Sequence, residues 1–371
     1  MIKEHCFTEG WLDIFKKQKE HKRIDKAILE KMVYALHLLE RIKANGLDFV
    51  FKGGTSLVIL LEEGNRFSID IDIICNTDRK TLEAILQKVV ESSNFNSFEL
   101  DEHRSYQSGV PKAHYSFSFD SAIKGKYSGT ILLDILIEDS IYPELAEKPI
   151  QTKWIETNSE TLVILPTIDA ITGDKLTAFA PNTIGIPYFK GADNQPFSME
   201  ICKQLFDLSK LFEKIDSIET VAKSFDSFAK QEIEYRKQAN SKTELTPKLA
   251  LQDTIDTCLI LAKRGSGTFD EKLKFLELQK GIRAFGTGFL MLGNFRIDDA
   301  IPASARIAYL ACKILYNNLS PIEYYKGQDI KELSIENHDW NFLNRLKRQP
   351  DKSSYYYWYK VVQLLTNCED E

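Results

Sequence analysis

The sequence predicts an α+β protein, in which a mixed sheet with flanking helices is followed by an all-α C-terminal domain. Short apolar or alternating runs recur between 47 and 165, bounded by turn residues, as strands do. From Ser198 onward nearly every stretch carries apolar residues at helical spacing. The change falls near 185–197, where PYFKGADNQPFS reads as a loop. The domains are therefore placed at 1–190 and 191–371.

In chain order, 8–46 reads as helices, because IDKAILEKMVYALHLLERI spaces Ile24, Ile28, Met32, Leu36 and Leu39 along one face. Leu47 to Phe51 is a short strand leading into Gly53-Gly54. Thr55 to Glu62 reads as a helix, after which Asn65 and Arg66 turn the chain into a strand bearing Asp70 and Asp72. Thr77 to Ser92 is a helix with Thr77 or Asp78 as its N-cap. Strands follow at Phe95–Leu100, Ala113–Phe119, Thr130–Glu138 and Leu162–Leu165. Pro166 and the helix TIDAITGDKLTAFA come next. Helices are then expected at 198–214, 217–240, 244–264, 269–285 and 301–317.

Bulk properties narrow the class. The chain has 371 residues, enough for about two domains. Hydrophobic residues make up 43% and charged residues 27%, as in a soluble globular protein. A net charge of −6 means that any nucleic-acid surface must be a local basic patch. No apolar run reaches the length of a membrane span, and the first residues lack the apolar core of a secretion signal. The six cysteines are widely spaced without CxxC pairs, which suits a reducing compartment and suggests neither zinc nor disulfides. The histidines, His103 and His114 included, form no ligand pattern and read as surface or core residues. The expected location is the cytoplasm.

The chemistry concentrates in KGGTSLVILLEEGNRFSIDIDIIC, residues 52–75. Alternation on a strand puts Asp70 and Asp72 on one face, with Ile69, Ile71 and Ile73 on the other. Two such carboxylates make a hard oxygen site suited to a divalent cation, Mg2+ or Mn2+. Adjacent glycines let backbone amides approach a phosphate. A phosphate cradle beside a metal dyad reads as nucleotidyl or phosphoryl transfer from a nucleoside triphosphate (NTP). Two metals need further oxygen ligands. Asp134, inside the apolar ILLDILIE, is the natural third, and Glu138 at the strand end is weaker.

These motifs resemble the nucleotidyltransferase fold of the DNA polymerase beta superfamily. KGGTSL followed by RFSIDIDII resembles its AbiEii toxin branch, over roughly residues 30–215. The resemblance implies a nucleotidyltransferase toxin of a bacterial toxin–antitoxin or phage-defence system. It would move a nucleotide from an NTP to an acceptor hydroxyl, with RNA, for example the tRNA 3′ end, as acceptor and a cognate antitoxin as partner. By the same resemblance, Asp70, Asp72 and Asp134 hold the metals, while Gly53, Gly54, Thr55, Ser56 and Lys175 hold the triphosphate.

Lys175, in Asp174-Lys175-Leu176-Thr177-Ala178, matches a helix lysine of the branch. Asp207, in Lys203-Gln204-Leu205-Phe206-Asp207-Leu208, matches an acid that would orient Lys175. The branch usually has Arg-Asp where Lys203-Gln204 stands here. Arg66 and Ser68 match the family wording. Arg66 either contacts a phosphate or braces the acidic strand, and Lys52 is either a phosphate contact or a strand-end lysine. Thr183-Ile184-Gly185 is a candidate nucleotide contact.

Two basic segments are candidate RNA contacts: KKQKEHKRIDK at 16–26, and Arg345, Lys347 and Arg348 ahead of Tyr355-Tyr356-Tyr357-Trp358-Tyr359. The alternatives are a solvated helix face and a core helix. GSGT at 265–268 and FGTGF at 285–289 lack the Lys-Ser/Thr of a P-loop and read as turns. Two other functions remain open: kinase-like transfer of a terminal phosphate, and a non-catalytic nucleotide-binding regulator.

Overall fold

The computed structural model describes residues 1–18, 24–61, 66, 68–105, 110–191, 193–238, 244–290 and 293–369. They form two compact units, Met1–Thr167 with Phe289–Gly293, and Ile168–Gly288 with Asn294–Glu371.

The first unit opens with helices α1 (Glu9–Lys17) and α2 (Lys26–Ala44), the latter capped by Asp25, whose carboxylate accepts from the Ala27 and Ile28 amides. Strand β1 (Val50–Lys52) runs into α3 (Gly53–Leu60), followed by β2 (Ile71–Ile74) and α4 (Arg79–Glu91). Asp78 is the N-cap of α4 and accepts from the Thr81 amide at 3.1 Å. Then come β3 (Ser97–Leu100), the single-turn α5 (Glu102–Ser105), β4 (Lys112–Asp120), β5 (Ser128–Leu136), β6 (Leu145–Pro149) and β7 (Leu162–Pro166).

The seven strands form one mixed sheet in the order β3-β4-β5-β2-β1-β7-β6. β2 runs parallel to β5, and β1 parallel to β7, while the other neighbours are antiparallel. Helix α2 packs against β5 and α4. Phe51, Ile71, Leu133, Tyr115 and Phe117 are buried to within 1% of complete, each contributing about 1.5–3 kcal/mol of transfer free energy.

The second unit holds α6 (Ile168–Ala178), a small hairpin of β8 (Phe189–Lys190) and β9 (Gln195–Pro196), and then α7 (Ser198–Phe212) and α8 (Ile218–Gln238). Beyond these lie α9 (Pro247–Lys263), α10 (Phe269–Gly288), α11 (Ile297–Leu315) and α12 (Ser353–Glu369). Helix α6 packs on α7 and α8, and α11 on α9 and α12.

Several elements differ from the sequence expectation. Compactness divides at Thr167, not between 190 and 191, because α6 joins the helices it packs on. The stretch near 185–197 contains the β8–β9 hairpin, and β6 (LAEKP) has too little apolar content to be seen as a strand. Helix α3 begins on the glycines themselves and closes at Leu60; Glu62 and Asn65 lie outside the described residues. β5 ends at Leu136, which leaves Glu138 beyond it.

Candidate active site

Register builds this site. Lys52 on β1 pairs with Asp72 on β2, Asp72 with Asp134 on β5, and Asp134 with His114 on β4. Residues opposite one another on neighbouring strands share a face, so these four side chains form one row across the sheet. The other face is sealed by Ile71, Ile73, Leu133, Ile135, Ala113 and Tyr115, all at most 1% exposed. The row itself is half-buried.

The strand expected over Asp70 and Asp72 starts at Ile71 instead. The carbonyl of Asp70 accepts from Thr55 Oγ1 at 2.6 Å, so a side chain of α3 takes the group a strand partner would use. Asp70 is exposed just ahead of β2, two residues from Asp72.

Both glycines of α3 are crowded by the site's own side chains. Gly53 has φ +76, and a Cβ there would lie 2.0 Å from Asp72 Oδ2. A Cβ on Gly54 would lie 2.5 Å from Arg66 Nη2 and 2.7 Å from Ser68 Oγ. The pair thus lets Asp72, Arg66 and Ser68 close on the start of α3. The N-cap residue Lys52 makes no side-chain cap hydrogen bond, and the positive end of the helix dipole lies at the glycines. Thr55 and Ser56 are fully buried, and Ser56 Oγ donates back to the Gly53 carbonyl at 2.9 Å. Arg66 is 7% exposed and forms a backbone bridge with Leu290. Lys52 Nζ lies 5.7 Å above the Tyr142 ring.

Asp134 has two partners that the sequence reading did not assign. His114 Nδ1 lies 2.7 Å from its Oδ1, and Arg104 Nη2 lies 3.3 Å from its Oδ2. From sequence alone His114 reads as a surface or core residue, because the register of β4 on β5 is a long-range pairing. The available signal was the alternation of AHYSFSF, which puts His114 opposite the apolar set of β4.

Lys175 and Asp207 belong to the second unit. Lys175 Nζ donates to Asp207 Oδ2 at 2.8 Å and lies 3.4 Å from Gln204 Oε1. The side chains of the pair are 6% and 2% exposed. Asp207 therefore holds Lys175, with Gln204 assisting, while Lys203 pairs with Glu200. Thr183 and Gly185 serve structural contacts, Thr183 donating to Asp253 at 2.9 Å and the Gly185 amide to the Ala180 carbonyl at 2.8 Å. Four of the five residues of the aromatic run are core: Tyr355 to Trp358 are at most 7% exposed, which removes them as a stacking surface, while Tyr359 is half-buried. Of the basic segment 16–26, residues 19–23 lie outside the described residues. Lys26 is paired with Glu9 and Asp13.

Among the described residues no three His, Cys, Asp or Glu side chains are grouped to hold a metal ion by themselves. Asp72 and Asp134 nonetheless suit Mg2+ or Mn2+ in donor type. Mg2+ commonly binds through one or two carboxylates, with waters and substrate phosphates completing its shell. No helix among the described residues is long and apolar enough to cross a membrane.

Residues 37–274 match the model of the family described as "Nucleotidyl transferase AbiEii toxin, Type IV TA system". No curated protein matches the chain. Among solved structures, the chain is similar to a "putative nucleotidyltransferase from H. pylori", with 17% identity and a TM-score of 0.33. That alignment covers 69% of this chain and 97% of the other.

Proposed function

The chain belongs to the AbiEii nucleotidyl transferase toxin family, and from that premise we propose that it transfers a nucleoside monophosphate from an NTP to an acceptor hydroxyl with Mg2+ or Mn2+. The observation that carries this reading is the in-register pair Asp72–Asp134 beside the glycine start of α3. Carboxylates and a glycine-led helix N-terminus side by side suit a metal-bound triphosphate.

Asp70, Asp72 and Asp134 would hold the metal, which when bound neutralises phosphate charge and lowers the pKa of the attacking hydroxyl. The α3 amides at Gly53 and Gly54 receive phosphate oxygens, and Thr55 braces Asp70 from below. Arg66, packed against Gly54, and Ser68 shape that cradle. By the family resemblance alone, Lys175, held by Asp207, is expected to serve as a countercharge for the triphosphate. The acceptor oxygen bonds to the α-phosphorus as the bond to the β-phosphate bridging oxygen breaks. Pyrophosphate leaves, and the hydroxyl proton departs to solvent by way of Asp134.

The acceptor is RNA, with the tRNA 3′ end first in line, and modification of such an RNA arrests growth. A cognate antitoxin restrains the enzyme in the cytoplasm, and the setting is phage defence. The test incubates the protein with each α-labelled NTP, Mg2+ and total bacterial RNA, with Asp72→Ala in parallel. Label in an RNA band with wild type, lost in the variant, is the expected result. Absence of label with every NTP counts against the RNA acceptor. Label from the γ-phosphate in a protein would establish kinase-like transfer instead.

A further inference from the structure

We propose that His114 is a positioning residue for the acidic row: it holds Oδ1 of Asp134 so that Oδ2 faces the cation, and Arg104 occupies Oδ2 until the cation displaces it. This rests on the reading of Asp134 as a metal-facing acid. A carboxylate can only accept, so the proton in the 2.7 Å contact sits on His114 Nδ1. The backbone of His114 is fixed on both sides. The Asp101 amide donates to the His114 carbonyl at 2.8 Å, and the His114 amide donates to Ser105 Oγ at 2.9 Å. Ser105 Oγ in turn donates to the Asp101 carbonyl at 2.7 Å. Helix α5 is thereby bolted to the backbone of β4 at the position whose side chain reaches Asp134.

The same turn delivers Arg104, whose amide donates to Asp101 Oδ1 at 3.1 Å. The two partners differ in exposure. The His114 side chain is 13% exposed, that of Asp134 26% and that of Arg104 43%. Exposed ion pairs contribute little, because water competes for both charges and the long side chain loses rotamer freedom. The hydrogen bond to Oδ1 is thus the durable contact and the guanidinium on Oδ2 the exchangeable one. A divalent cation with substrate phosphates takes Oδ2 from Arg104 without disturbing Oδ1. The arrangement repeats the logic by which a second residue fixes the orientation of a metal-binding carboxylate or imidazole.

The test is a calorimetric titration of the full chain with Mn2+ alone, no nucleotide present, with far-UV circular dichroism on every variant. His114→Ala should weaken Mn2+ binding about tenfold or more, the usual scale for losing such a support. His114→Asn puts an amide N–H near the place of Nδ1–H and should bind within about threefold of wild type. Arg104→Ala, which removes a competitor, should bind Mn2+ more tightly than wild type. Wild-type affinity in His114→Ala, or weaker binding in Arg104→Ala, overturns the proposal. If His114→Ala does not fold, His114→Asn and Arg104→Ala decide, and a tenfold loss in the former also overturns it. Asp134→Ala separates the premise: wild-type Mn2+ affinity in that variant removes Asp134 from the metal site, whatever His114 does.

Discussion

Gly53 and Lys175 carry the strongest constraints at the scale of single residues. A methyl on Gly53 would meet the Asp72 carboxylate at 2.0 Å, and the backbone there is left-handed. Gly53→Ala forces Asp72 aside and adds about 1–2 kcal/mol of backbone strain. Misplacing a catalytic group by an ångström costs about 100-fold in rate. Nucleotide transfer should fall by that order while the melting temperature drops only a few degrees. Full activity in this variant would take Asp72 out of the chemistry. Lys175 and Asp207 are a buried ion pair at 2.8 Å. Lys175→Met strands a buried carboxylate and should cost about 3–5 kcal/mol in a denaturant titration. Adding Asp207→Leu should restore most of that stability but no transfer activity, which separates the role of the charge from that of the packing.

Local rules and burial divide the work at the scale of elements. Asp78 caps α4, and hydrogen bonds from the Thr81 side chain and amide hold its carboxyl below the usual carboxylate range. A lowered carboxylate pKa stabilises the fold above the unfolded value, and that stability is lost as pH falls through the folded one. Asp78→Ala should therefore melt below wild type at pH 7, and the gap should narrow as pH falls below about 4, the ordinary aspartate pKa, as read by thermal unfolding across pH. Helix α12 illustrates burial. Trp358 is 0% exposed, so Trp358→Ala should cost about 3–5 kcal/mol and leave RNA affinity at fixed salt unchanged below its melting point. A loss of RNA affinity without a loss of stability would restore the stacking role that burial removes.

At the scale of the whole molecule, five of the six thiols are buried, and the side chain of Cys368 lies outside the described residues. Cys6, Cys75, Cys202, Cys258 and Cys312 are at most 3% exposed. Burial pushes Cys6, Cys75, Cys202 and Cys258 above the ordinary thiol range, Cys202 and Cys258 furthest. Since the thiolate is the reactive form, these five should react with an aromatic disulfide reagent only as fast as the chain unfolds. Rapid reaction of any of them in the native protein would expose an opening in the fold. The net charge of −6 leaves RNA binding to local groups, and Tyr355 to Trp358 are not among them.

What the sequence determined by itself was local. Alternation in SIDIDII marked the buried and open faces of β2, and Asp134 interrupting the apolar ILLDILI marked the acid of β5. Helical spacing after Ser198 marked most of the second unit, and Thr77-Asp78 marked the start of α4. The motif order from KGGTSL to Lys175 identified the family that the matched residues establish. Only the tertiary structure decided what the acidic row is made of. The parallel pairing of β2 with β5 brings Asp72 level with Asp134, although 62 residues separate them by number (134 − 72). The β4–β5 register then adds His114, and the turn at 101–105 adds Arg104. Pairing across the sheet depends on which strands become neighbours, and that is settled by burying the apolar faces together, a requirement no single segment contains. The same reason explains the aromatic run of α12, whose composition suited a surface or a core equally and whose place was chosen by the helices it packs on.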